Sequence, residues 1–281
     1  MKTATKTVLK SFLPRRVRTF LKTGFYSFLD AVDLIRGADP MIPPRRFYYI
    51  GSGDFKKIGE DYLTRFIRDC GLTHASKVLD IGCGSGRLAV PLTKYLNEQG
   101  SYDGFDIDPR GILWCTKNIT AKYPNFRFCV SDIYNKEYNT FGKYSAKEYR
   151  FPYKDSSFDL VALTSVFTHM LPDDIAHYLA EIARVLKPGG KVLATYFLFN
   201  KKSGYLNTIR GTLNFAYDCD IYRTISDEIP EAAISFDEEY ILGLYKDAGL
   251  SMAGPIEYGA ETGRQDIILG ETKVSPTSSP R

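Results

Sequence analysis

The sequence predicts an α/β fold: a doubly wound, mostly parallel sheet with helices on both faces. Three observations carry this. Strand and helix patterns alternate at least four times along the chain. One apolar run, 77–81, ends in an acid and a glycine-dense turn that opens a helix. The last two strand patterns, 250–258 and 266–271, stand close enough to pair antiparallel at the sheet edge. Of the 281 residues, 44% are hydrophobic and 25% charged, enough for a sizeable core in one large domain with additions.

The net charge is +4, and it is unevenly placed. Lys2, Lys6, Lys10, Arg15, Arg16, Arg18 and Lys22 stand in a stretch without acids; taking those seven away leaves −3 for the remainder. A mildly acidic body argues against nucleic acid as a partner, since that needs a basic face. Five scattered cysteines with no CxxC pair read as reduced thiols of a cytoplasmic-type compartment, with neither disulfide framework nor metal site. No apolar run reaches transmembrane length, no internal repeat appears, and the oligomeric state is left open.

In chain order, residues 1–45 read as a basic amphipathic helix and linker. The apolar stripe from Val8 through Phe12, Val17, Phe20 and Phe25 to Val32 has helical spacing. It fits packing on its own domain or a second subunit, peripheral contact with an anionic membrane through residues 1–37, or a targeting peptide. The domain proper is expected over 46–272. Gly51-Ser52-Gly53 reads as a cap over the pocket or a plain turn, before a helix from 56 to 70. After the glycine turn come a helix over 88–96, a strand ending at Asp106, a helix over 110–122 stopped by Pro124, and a strand ending at Asp132. A tyrosine-rich insertion, 134–149, precedes a buried strand over 157–165. A helix over 173–186, a turn at Gly189-Gly190 and a strand over 191–198 follow. Residues 200–236 read as an irregular excursion, a lid or small subdomain. A helix over 237–248 leads to the final pair, and 273–281 read as a disordered tail.

The turn Asp80-Ile81-Gly82-Cys83-Gly84-Ser85-Gly86-Arg87 decides the ligand. A dinucleotide motif wants its last glycine where Arg87 stands, and Asp80 would repel a pyrophosphate. An NAD(P) oxidoreductase is therefore disfavoured, and a ligand whose near end is cationic is favoured. Val78 to Gly86 resembles the first motif of the class I SAM-dependent methyltransferases. The likeness extends to Gly104-Phe105-Asp106-Ile107-Asp108, Ser131-Asp132-Ile133, Ser157 to Val161 and Leu186 to Gly190, in the family's order and spacing over roughly residues 50 to 271.

The resemblance implies a Rossmann-like sheet of seven strands with an antiparallel last strand, and S-adenosyl-L-methionine as cofactor. It implies that Asp80 and the backbone of Gly82, Cys83, Gly84 and Gly86 hold the methionine end. Asp106 would bind the ribose hydroxyls, Ile107 and Ile133 would flank the adenine, and Asp132 would accept from its amino group. Ser165 would face the reacting methyl. The plainer reading of Asp106 and Asp132 is strand-end turn residues. His169 follows the fourth strand and suits a general base or, equally, a helix-start histidine bonding backbone; His74 and His177 read as structural. The insertion at 134–149 departs from the family's short members and leaves the substrate side open. The expected activity is methyl transfer to a small-molecule or glycan acceptor, at a hydroxyl oxygen. A lipid-linked or quinol acceptor at a membrane surface and a non-catalytic SAM-binding scaffold are the other readings.

Overall fold

The computed structural model describes residues 29, 30, 32, 35, 37, 39–47, 53–202, 208–259 and 264–274. The N-terminal stripe before residue 29, the Gly51-Ser52 turn, and the tail beyond 274 lie outside the described residues. The chain divides into two compact units, 1–55 and 56–281. In the first, Asp39 closes a turn by accepting the Met41 N–H at 2.9 Å, and the Arg45 N–H donates to Asp30.

The second unit is built on a seven-stranded sheet: β1 (Lys77–Ile81), β2 (Ser101–Asp106), β3 (Phe126–Val130), β4 (Phe158–Leu163), β5 (Leu186–Tyr196), β12 (Leu250–Met252) and β13 (Asp266–Thr272). Its order is β12-β13-β5-β4-β1-β2-β3. β1 is parallel to both β2 and β4, while β13 runs antiparallel to β5 and to β12. The expected antiparallel pair exists, but β13 enters between β5 and β12, so the outermost strand is β12. The sheet order reverses about β1, which opens a crevice beyond the carboxyl ends of β1 and β4.

Helices α1 (Phe55–Cys70, from its second residue on), α2 (Ala89–Leu92), α3 (Pro109–Cys115), α4 (Pro172–Val185) and α5 (Glu238–Asp247) belong to this unit. α3 starts where Asp108 accepts the N–H groups of Arg110 and Gly111, with Pro109 in its first turn. The helix expected over 110–122 is α-helical only to Cys115 and continues as a π turn, Thr116–Thr120. Likewise the helix expected over 88–96 is a short one, Ala89–Leu92, continued by turns. α4 lays Ile175, Leu179 and Ile182, spaced by four and three, on a core that holds Val161, Leu163, Val192 and Ala194. All five cysteines are free thiols.

The excursion read as irregular over 200–236 is folded. β6 (Leu198–Phe199), β11 (Ile234–Asp237), β10 (Tyr222–Thr224) and β9 (Tyr217–Asp218) form a second, four-stranded sheet. A ribbon of β7 (Ile209–Arg210) and β8 (Leu213–Asn214) adjoins in sequence. Strands of two to four residues are too short for alternation to register as a pattern, which is why the sequence reads as coil there.

Candidate active site

β1 is apolar because both its faces are covered; only Lys77 is exposed. The chain leaves it through Gly82, Gly84 and Gly86, with φ of +74°, +54° and +82°. These conformations disfavour any residue with a side chain. A Cβ on Gly82 would also sit 2.4 Å from Val166 Cγ2, whereas one on Gly84 would meet nothing within 4 Å. The side of Gly84 on which a side chain would stand is thus open, leaving room for a ligand to lie along it.

The turn is fastened to β2. Phe105 O accepts the N–H groups of Gly82 and Cys83 at 2.9 and 3.2 Å. The Gly84 N–H donates to Asp106 Oδ2 at 2.7 Å, and the Asp108 N–H to Oδ1 at 2.8 Å. Asp106 is therefore both buried and the anchor of the turn; burial raises its pKa while the backbone donors lower it. With the Ile107 backbone as a third donor, the carboxylate still keeps a lone pair for a further donor such as a ribose hydroxyl.

Asp80 is 1% exposed. Its Oδ2 accepts the Tyr102 hydroxyl at 2.5 Å, while Oδ1 has no partner. Burial pushes its pKa up to about 7, against the pull of the Tyr102 bond. A buried carboxylate with one oxygen unsatisfied demands a donor or a cation. The Tyr62 hydroxyl of α1 lies in the combined field of Arg65, Arg87, Arg264 and Asp80, so both signs of charge meet beside the turn. A molecule with an ammonium and a carboxylate at one end suits that surrounding. Tyr102 and Tyr62 were not legible as site residues. Tyr102 enters only through register, since β1 and β2 pair Val78 with Tyr102 and Asp80 with Gly104.

Of the remaining expected residues, Ile133 is buried and Ile107 is half-buried, both packed in the main core. Asp132 is exposed and receives the 134–149 insertion: its carbonyl accepts the Lys143 and Tyr144 N–H groups, and its Oδ1 accepts Lys143 N–H at 3.2 Å. Ser165 caps the carboxyl end of β4 with φ +59°, a conformation costly for a non-glycine residue. Its N–H donates to Thr195 Oγ1 at 2.8 Å, and Gln265 Oε1 accepts from Ser165 Oγ at 3.1 Å and from Thr195 Oγ1 at 2.6 Å.

His169 stands in a 3₁₀ turn, Phe167–His169, where both insertions converge. Its Nδ1 lies 2.9 Å from Glu231 O, its carbonyl accepts Asn135 Nδ2 at 3.0 Å, and its ring meets Tyr138 edge-on with centroids 5.1 Å apart. Because a carbonyl only accepts, Nδ1 carries the proton and Nε2 keeps the lone pair. Burial holds the imidazole pKa below its ordinary value. Lys136 Nζ also reaches Glu228 O, so the two insertions touch beside this histidine. His74 and His177 bond the carbonyls of Tyr95 and Tyr149, away from the glycine turn in sequence and partners alike. Among the described residues no cluster of three or more metal-ligating side chains occurs. Cys83 and Cys115 lie buried by the turn with thiol pKa values raised by desolvation, which leaves them unreactive.

Residues 78–190 match the family model of the methyltransferase domain. The phthiotriol/phenolphthiotriol dimycocerosates methyltransferase 1 of Mycobacterium ulcerans is 33% identical over 119 residues, 42% of this chain and 36% of that protein. A demethylmenaquinone methyltransferase of Staphylococcus aureus is 30% identical over 129 residues, 46% of each chain. The chain thus spans less than half the length of these curated relatives. A solved structure from Pyrococcus horikoshii, 16% identical, shares the fold with a TM-score of 0.56, covering 81% of this chain and 94% of that one.

Proposed function

We propose that this chain, whose methyltransferase domain is of the class I, SAM-dependent type, transfers a methyl group from S-adenosyl-L-methionine to a hydroxyl oxygen of a small acceptor. The observation that carries the reading is the buried Asp80 carboxylate with an unpartnered oxygen, in a turn where the space a side chain at Gly84 would fill is empty. The bound cofactor supplies a methyl carbon already activated by a sulfonium, so little covalent chemistry is asked of the protein.

In this reading Asp80 receives the ammonium of the methionine end, and the Gly82 to Gly86 backbone lies along it. The charges around Tyr62 receive the carboxylate. Asp106 accepts from the ribose hydroxyls, Ile107 and Ile133 bracket the adenine, and Asp132 accepts from its amino group through the oxygen not taken by Lys143. Ser165 faces the methyl. His169 takes the acceptor proton at Nε2, with Nδ1 held by Glu231 O so that the ring cannot turn. The burial that keeps the imidazole neutral at pH 7 also keeps that lone pair available.

Two relatives are named for phthiotriol-type lipids and demethylmenaquinone, which supports a hydroxylated lipid or a quinol over a glycan as the acceptor class, while oxygen as the methylated atom rests on His169 as the base. No described helix is long and apolar enough to cross a membrane. Peripheral contact through residues 1–37 would bring such an acceptor within reach, and equal partitioning onto anionic vesicles with and without that segment would refute it.

Calorimetry with SAM, S-adenosylhomocysteine and NADH tests the cofactor. Micromolar binding of NADH without S-adenosylhomocysteine would overturn the proposal. Transfer of a tritiated methyl to a short-tailed demethylmenaquinol and to lipid extract of the source cells tests the acceptor class.

A further inference from the structure

Three side chains at the carboxyl edge of the sheet form a hydrogen-bond chain whose direction is dictated. The Ser165 N–H can only donate, and it donates to Thr195 Oγ1 at 2.8 Å. Thr195 is 1% exposed, and its own hydroxyl proton must find an acceptor within reach. The acceptor in reach is Gln265, whose amide oxygen stands 2.6 Å away. Gln265 Oε1 also takes the Ser165 hydroxyl at 3.1 Å. The amide of Gln265 therefore presents its oxygen to the sheet and must turn its NH₂ the other way.

The position of Gln265 is fixed on both sides. Arg210, on the small ribbon, donates to the carbonyl of Arg264 at 2.7 Å and forms an ion pair with Asp266 whose side chains are 1% and 0% exposed. Asp266 further accepts the N–H groups of Leu198 and Gly259, each at 2.8 Å. Gln265 is half-buried between these anchors, and among the described residues its Nε2 has no hydrogen-bond partner, only Oε1 being engaged. Two donors on a rigid mount, half-shielded from water, are poised for an acceptor atom that arrives from outside.

The sheet order says which ligand that is. The glycine turn leaves β1 and Asp106 ends β2, so the cofactor of the proposed reaction occupies the β1-β2-β3 half of the edge. Gln265 immediately precedes β13 on the opposite half, β4-β5-β13, bonded through Thr195 to the residue that faces the methyl. We infer that Gln265 is an acceptor-positioning residue, whose amide NH₂ donates to an oxygen of the substrate and aligns its nucleophile with the methyl. The substrate class is accordingly one with a second oxygen near the methylated one, such as a quinol, a catechol or a vicinal or 1,3-diol. This rests on the methyltransferase reading above.

The test compares wild type with Gln265→Glu, which keeps an oxygen for Thr195 but loses the donors, and Gln265→Leu, which loses both. Two readouts are taken on the S-adenosylhomocysteine complex. In the first, the ¹⁵N side-chain amide of Gln265, identified by its loss in Gln265→Glu, is expected to exchange with water as a free amide does. Strong protection would show the donors already satisfied inside the protein and would overturn the inference without any acceptor in hand. In the second, methyl transfer to short-tailed demethylmenaquinol should show KM raised about tenfold in Gln265→Glu, with S-adenosylhomocysteine affinity within about twofold of wild type. Unchanged KM and kcat in both variants, or a parallel loss of cofactor affinity, would overturn it. Wild-type protein that binds no S-adenosylhomocysteine would instead sink the methyltransferase reading itself.

Discussion

The two halves of the sheet edge are built on different principles. On the β1-β2-β3 half, the site is mostly backbone: three glycines, two carboxylates and the N–H groups that tie them together. Its parts lie within short stretches of sequence and at the ends of consecutive strands. On the β4-β5-β13 half, the site is made of side chains that meet from far apart, Ser165 with Thr195 and Gln265, His169 with Glu231 and Tyr138. The first half can be shared by many proteins that use one cofactor, while the second is free to vary with the acceptor. Where the ligand is constant, backbone geometry recurs; where it varies, loops carry the specificity.

The sharpest way to break the second half is its buried ion pair. Arg210→Ala or Asp266→Ala leaves an uncompensated charge in the interior and should cost about 3–5 kcal/mol, read as a lower midpoint in urea. The loss of acceptor turnover should exceed the loss of cofactor affinity, because the pair mounts Gln265 and lies away from the glycine turn.

The first half breaks at Asp80. Asp80→Asn keeps the shape and the Tyr102 partner but removes the charge, and calorimetry should show SAM affinity reduced about a hundredfold. The same change should stabilise the empty protein at pH 7. The folded-state pKa of Asp80 stands near 7, above its ordinary value, so between about pH 4 and 7 the unfolded chain has released a proton the folded chain still holds. Stability therefore falls as pH rises through that window, and Asp80→Asn abolishes the fall, a gain of up to about 4 kcal/mol at neutral pH in urea melts. A site that binds a cation stores this cost until its ligand arrives.

A smaller effect follows from the same carboxyl group. The cationic end of the cofactor favours ionised Asp80, so affinity should rise with pH up to about 7 and level off above it. The slope below the midpoint should approach tenfold per pH unit and vanish in Asp80→Asn. Smallest of all, Phe141→Ser at the tip of the 134–149 insertion should move stability by less than about 0.5 kcal/mol. That residue is 95% exposed, and it stands outside the His169 contacts that tie the insertion down.

The unequal legibility of the halves follows from their construction. Asp80, the three glycines and Asp106 are spaced as a strand, a turn and the next strand end demand, so linear order carries their positions. The place of Asp132 just past the third strand was readable, but not that the insertion would return its Lys143 N–H to that carboxylate. Gln265 had no local signal: it becomes a site residue only because β13 inserts beside β5, and antiparallel register sets it past the Asp266–Tyr196 pair. The small sheet over 198–237 was invisible for another reason. Its strands are too short for periodicity, and they are held by pairing partners up to 38 residues away, Phe236 with Leu198.

By itself, the sequence determined the sheet, its switch point and the chemistry of the cofactor end, because each depends on residues near in the chain and on backbone conformations that few residue types permit. Tertiary structure alone decided that Tyr102 satisfies one oxygen of Asp80 and leaves the other, that His169 donates its Nδ1 N–H to Glu231 O, and that Gln265 turns its oxygen to Thr195 and Ser165. Those are matters of which hydrogen-bonding group finds a partner, and partners are assigned only when distant strands come into register.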